Sequence, residues 1–336
     1  MLGVRVFATI AIALLVFGCS RDKSSKRAEA EREGKPTPVR LALNWVPEPE
    51  FGGFYAARES GAYERAGLDV EILGGGAGVP VVQMVATGKV EFGLAGADDV
   101  VLAQARGVDV VAVFATFQTH PQGIMAHASR GLTSLEELFR SGLTLAIEPG
   151  IPYASWLRHK YGFDGVKIVP YDGGVARFVT DEGFAQQCYV TSEPIAARQK
   201  NAEPKVFLVA ESGYDPYGVV VVVRRQLLDE KPALVRSFVT ASAQGWRTYL
   251  DQPGPTNEVM AKLNPAMDAA TFAAASEAQR ELIENDETRR LGLGVMKRER
   301  WETLARQLVE AKVIERAPEA DRLFHPVAAE VAAAKN

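Results

Sequence analysis

Residues 108–116, Val-Asp-Val-Val-Ala-Val-Phe-Ala-Thr, are apolar at almost every position. A strand with one wet face alternates, so a run like this needs cover on both faces, as helices flanking a sheet provide. The preceding chain fits that demand. Residues 39–43 and 67–73 alternate at a period of two (Val39, Leu41, Leu43; Leu68, Val70, Ile72), and 90–94 is a further short strand. Helical patterns follow them at 54–59, 81–87 and 100–106. Such alternation favours a parallel sheet with right-handed crossovers. A second series starts near Leu132, where Ser134 and Glu137 form a capping box for a helix to Arg140. Strands are expected at 144–147, 166–169, 189–193, 206–209 and 218–223, and a helix at 153–159. Beyond Pro232 the pattern is helical. Leu234, Val235, Phe238, Val239, Trp246 and Tyr249 make one apolar stripe, and Trp301, Leu304 and Leu308 another, which assigns both tryptophans to the core. The expectation is an α/β protein of two lobes with a ligand cleft between them and a helical C-terminal segment. Lobe 1 comprises 39–125 and 218–336, and lobe 2, at 126–217, is inserted into it.

The N-terminus reads as an address. Arg5 precedes an apolar run at 6–17, too short to span a bilayer as a mature helix, so residues 1–18 form a signal peptide. Its end, Leu15-Val16-Phe17-Gly18-Cys19, resembles a lipobox, which implies acylation of Cys19 and a lipid anchor in a membrane. Residues 19–38 are rich in Ser, Lys, Arg and Glu without apolar periodicity and read as a flexible tether. No later run is long enough to cross a membrane. The net charge is −4, with no basic block beyond the tether, which argues against nucleic acid. With Cys19 in the anchor, Cys188 stands alone and reads as a buried, inert thiol. His120, His127, His159 and His325 are scattered without zinc-type spacing, so neither metal nor cofactor is expected, and the protein is taken as a monomer.

In an open α/β sheet, ligands bind beyond the carboxyl ends of strands. The first such loop carries Asn44, Trp45, Glu48, Glu50 and Phe51, and Gly52-Gly53 open from it into a helix holding Tyr55. The second is glycine-rich and ends near Gly78, without the Gly-Lys-Ser/Thr ending of a phosphate loop. Asp98 and Asp99 open the 100–106 helix; an aspartate there caps the helix, which leaves its other oxygen free for a ligand. Further loops and helix starts supply Gln118, Tyr153, Tyr214 and Asp215, and the 189–193 strand places Tyr189 and Glu193 on one face. These cleft-edge segments hold Glu48, Glu50, Asp98, Asp99, Glu148, Asp172, Glu193 and Asp215 against only His120 and Arg177 as possible cations. Burying a sulfonate, nitrate or phosphate among carboxylates is unfavourable. A flat guest that donates hydrogen bonds or protonates is suited, because one carboxylate accepts two donors side by side. Trp45 and Tyr189 are the expected stacking platforms, and Glu193 the paired acceptor for an aminopyrimidine or similar ring.

Residues 43–55, 66–70, 88–92 and 189–194 resemble the substrate-binding lipoproteins of bacterial ABC importers, in the group similar to thiamine-pyrimidine-precursor-binding proteins (SsuA/THI5-like). The resemblance implies a type II periplasmic binding protein that closes on its ligand by hinge bending and delivers it to a permease with its ATPase subunits. It also implies that Asn44, Trp45, Tyr189 and Glu193 occupy ligand-contacting stretches. The chain departs from the group's Trp-x-Pro-Asn-x-x-His pattern, with Trp45-Val46-Pro47-Glu48-Pro49-Glu50-Phe51 instead. Two alternatives stay open. Relatives of the same group bind sulfonates or nitrate, and fungal proteins of similar fold make the pyrimidine from pyridoxal phosphate with a histidine, a lysine and a cysteine cluster. This chain has no cysteine cluster, and a non-enzymatic protein is expected.

Overall fold

The computed structural model describes residues 35–334. The expected signal peptide, the expected lipidation site Cys19 and most of the expected tether lie outside the described residues. Among the described residues, ten strands form two five-stranded sheets. They are β1 (Thr37–Ala42), β2 (Leu68–Leu73), β3 (Phe92–Ala95), β4 (Val110–Phe117), β5 (Gln122–His127), β6 (Thr144–Ala146), β7 (Lys167–Val169), β8 (Phe184–Tyr189), β9 (Pro204–Leu208) and β10 (Gly218–Arg224). The first sheet has the order β2-β1-β3-β10-β4 and the second β7-β6-β8-β5-β9.

Burial on β4 and β10 follows the two-sided cover that the apolar run demands. Val111, Val113, Val221 and Val223 face a core shared with the helices Gly52–Glu59 and Pro232–Asp251. Val110, Ala112, Val220 and Val222 face the other way, into a core with the helices Val81–Ala86 and Ala97–Ala105. Trp246 and Trp301 are fully buried, as the stripes predict. Phe238 stacks on Phe92 with centroids 3.8 Å apart, and Trp301 on Phe324 at 5.8 Å. No described helix is long and apolar enough to cross a membrane.

Four expectations are corrected. Both sheets are mixed: β10 runs antiparallel between β3 and β4, and β5 antiparallel between β8 and β9. Each of these strands enters its sheet from the end at which the chain left the other, with Gly218 opposite Phe117 and Gln122 opposite Tyr189. Membership of the second sheet starts at Gln122 rather than at residue 126, because the Gln-Gly-Ile-Met-Ala-His run is a buried central strand with no alternation to mark it. Thr37 and Pro38 belong to β1, paired with Leu68 and Asp69, so this strand starts inside the expected tether. Glu193 does not end a strand. β8 stops at Tyr189, and Glu193 opens the helix Glu193–Gln199, whose start Pro194 favours by its fixed φ.

Two short segments, 118–121 and 213–217, carry the chain between the sheets. Because β4 ends where one begins and β5 starts opposite the end of β8, the carboxyl ends of the two sheets' parallel strands are brought together. The cleft lies there.

Candidate functional site

A cavity of about 270 Å³ opens between the sheets' carboxyl edges. The loop after β1 gives it Asn44, Trp45, Glu48 and Glu50. From the second sheet come Gln122 on β5, Gln187 to Tyr189 on β8, Glu148 after β6, Tyr171 after β7, and Ser192 with Glu193. No lysine, arginine or histidine is among these residues.

Pro47 and Pro49 break the chain after β1, and the turn Pro49–Phe51 sends Glu50 inward and leaves the Trp45 ring 43 % exposed at the rim. Gly75 makes that loop possible. Its N–H donates to the Trp45 carbonyl at 3.0 Å, and a Cβ there would fall 2.2 Å from the Leu43 carbonyl oxygen. Across the cavity, the Tyr171 hydroxyl donates to Glu193 Oε1 at 2.5 Å and the Tyr189 amide to Oε2 at 2.7 Å. Each oxygen keeps a second lone pair, so the carboxylate is oriented but not used up. The Tyr153 hydroxyl accepts from Gln122 Nε2 at 3.0 Å, just beneath the cavity.

Glu50 and Tyr189 line the cavity from opposite sheets, and the Tyr189 hydroxyl favours the ionised form of the Glu50 carboxyl. Burial pushes the Glu50 carboxyl up to about 8, with Glu48 and Glu193 adding to the rise. Glu48 is pushed up to about 7 by burial and by Glu193, and the Trp45 side chain offsets part of this. Four carboxyl groups, those of Glu48, Glu50, Glu148 and Glu193, thus line one small volume without a cation, and protons on Glu48 and Glu50 relieve the repulsion near neutral pH.

Of the residues the sequence points to, Asn44, Trp45, Glu50, Tyr189 and Glu193 converge on the cavity, and Tyr153 supports it. The others do not line it. Phe51 and Tyr55 are buried in the core of the first sheet, since the helix following the loop turns its aromatic face inward. Gly78 lies in an exposed turn at positive φ. Gln118 is turned into the protein, donating to the carbonyls of Ala115 and Val295. Asp215 ties the two crossing segments together, accepting from the His120 amide at 2.7 Å and pairing with Arg300 at 3.0 Å. Asp98 accepts from the Tyr214 hydroxyl at 3.3 Å, while Asp99 takes the capping role by accepting from the Gly96 amide. Tyr171 and Gln187 went unnoticed in the sequence. Tyr171 sits in a turn with no apolar period to orient it, and the missed strand β8 hid Gln187.

A family profile described as NMT1/THI5 like matches residues 48–255. The chain is similar to the riboflavin-binding protein RibY of Chloroflexus aurantiacus, 26 % identical over 330 residues covering 90 % of this chain and 91 % of that protein. It is 24 % identical to the formylaminopyrimidine-binding protein of Halalkalibacterium halodurans over 90 % of this chain and 92 % of the relative. Similarity extends, at 22 % identity over 68 % of the chain and 74 % of the relative, to a 4-amino-5-hydroxymethyl-2-methylpyrimidine phosphate synthase of Legionella pneumophila. The fold matches the periplasmic aliphatic sulphonate binding protein SsuA of Escherichia coli, with a TM-score of 0.66 at 14 % identity over 87 % of this chain and 93 % of that one. With two αβ lobes, a cleft at their carboxyl edges and a profile match over more than half its length, the chain belongs to the NMT1/THI5-like family.

Proposed function

We propose that this protein is an extracytoplasmic solute-binding protein that captures a small, flat heteroaromatic bearing hydrogen-bond donors and hands it to an ABC permease. The single observation that carries the reading is the lining of the cleft: tyrosine and tryptophan rings with four glutamates, and no basic side chain among the described residues. Trp45 and Tyr189 supply ring surfaces, and Glu193 presents two oriented acceptors to the amino and ring nitrogens of an aminopyrimidine-type guest. The names of two similar proteins, one binding riboflavin and one a formylaminopyrimidine, agree with that class of ligand. A sulfonate or nitrate would enter a cavity of like charge, which weighs against the anion-binding alternative. Delivery from outside the cytoplasm accords with the signal peptide and with lipidation at Cys19, which would hold the protein at a membrane.

The same lining favours binding over catalysis. Synthase chemistry through a Schiff base needs an amine, and no lysine faces this cavity. His120 is buried at the crossing segments, where Asp215 and Arg300 surround it. Titration of the protein with 4-amino-5-hydroxymethyl-2-methylpyrimidine tests the reading. Wild type should bind, and Glu193→Gln, which keeps the shape but not the charge, should weaken binding at least about tenfold, equal to about 1.4 kcal/mol. Equal affinity of the two forms would remove Glu193 from the site.

A further inference from the structure

We infer that the ligand site has a second compartment, a groove between the helices Val81–Ala86 and Ala97–Ala105 that receives a hydroxylated, uncharged side chain carried by the ring in the cleft. The inference rests on the proposed binding function and adds to it the shape of the ligand. The groove encloses about 200 Å³, and Asn44 lines it as well as the cleft, so the two spaces adjoin at that residue. The cleft alone is slightly smaller than the range of about 300–1,000 Å³ typical of sites that bury an organic ligand; cleft and groove together fall within it.

The chemistry of the walls sets what enters. The Asn44 side-chain oxygen is buried and has no hydrogen-bond partner in the protein. A buried acceptor left without a donor is unfavourable, and a ligand hydroxyl reaching past Asn44 would supply that donor. Val81, Leu94 and Leu102 form the apolar walls, and Asp99 adds a second acceptor at the cleft end. Asp99 begins the stripe that runs down the Ala97–Ala105 helix to Arg106, about 10 Å away at 1.5 Å per residue. That length suits a short flexible chain. A tail negatively charged near the ring would have to pass Asp99, so the groove selects neutral donors at its mouth.

Riboflavin, a flat ring system with a polyol tail, and lumiflavin, the same ring system with a methyl group in place of the tail, are the probes. Fluorescence titration of the wild-type protein should give riboflavin the higher affinity, by about tenfold or more. Leu102→Trp fills the groove and should lower the riboflavin-to-lumiflavin affinity ratio about tenfold. Gln83→Trp, on the exposed side of the opposite wall, should lower it in the same direction and serves if Leu102→Trp does not fold. A ratio near one in the wild type, or a ratio unchanged in the folded variant, overturns the second compartment. Failure of both flavins to bind also overturns it; if the aminopyrimidine still binds, the proposed function stands without it.

Discussion

Glu50 shows how much one carboxyl can decide. Its pKa is raised from 4.5 to about 8 and that of Glu48 to about 7, so between about pH 5 and pH 8 the folded protein holds protons that the unfolded chain has released. Stability linked to a raised folded-state value is lost as pH climbs through that value. Without ligand, the melting temperature should therefore fall from pH 5 to pH 8. Glu50→Gln keeps the shape and a hydrogen-bonding head but carries no charge, so it should melt higher than wild type at pH 8 and flatten the profile. Scanning calorimetry across this range checks it, and parallel profiles would show that Glu50 is not the titrating group. The acids and rings of the loop after β1 were legible in the sequence because two prolines mark it as irregular chain at a strand end. Which of its rings faces the cleft was not: Trp45 and Phe51 share a loop, yet the turn at Pro49–Phe51 sends one to solvent and the other into the core.

The elements show a similar division. Gly52 and Gly53 read as a loop opening into a helix, but they are that helix's first residues, pressed against the Pro232–Asp251 helix. A Cβ on Gly53 would lie 2.1 Å from the Trp246 ring, and one on Gly245 would lie 2.2 Å from the Gly53 carbonyl oxygen. Neither neighbour can retreat, because Trp246 is fully buried and the other contact is backbone. Gly245→Ala should lower stability by about 1–3 kcal/mol, as overpacking of a close interface does, and thermal melts by circular dichroism would register it. A melting point within error of the wild type would mean that the helices separate at little cost. Helices with strong stripes or proline starts were legible, since their period is a local property. β5 and β8 were not, because Gln-Gly-Ile-Met-Ala-His and Phe-Ala-Gln-Gln-Cys-Tyr neither alternate nor run uniformly apolar, and what orders them is pairing with chain far away in sequence.

At the scale of the molecule, one residue from the helix Arg298–Glu310 holds both crossings between the sheets. Arg300 donates to the carbonyl oxygens of Gln118 on one crossing and of Asp215 and Pro216 on the other, pairs with the Asp215 carboxylate, and lies 4.1 Å from the centre of the Tyr217 ring. Arg300→Ala should cost about 2 kcal/mol or more, the order of a charge-assisted hydrogen-bond set, and should broaden the distribution of interlobe distances. Double electron–electron resonance between labels on the two lobes reads that breadth, and an unchanged distribution would refute the role. Arg300→Lys should recover only part of the loss, because an ammonium lacks the planar fork. By itself the sequence determined the α/β class, the two series of strands and helices, the buried tryptophans, and an acidic, aromatic loop at the end of β1, all of which follow from patterns a few residues long. Only the tertiary structure decided that Glu48, Glu50 and Glu193 share one cavity, that Tyr171 orients Glu193, and that Asp215 serves the crossings rather than the ligand. Those facts depend on which strand ends face one another, and strand order is set by packing across the whole chain, which no short stretch encodes.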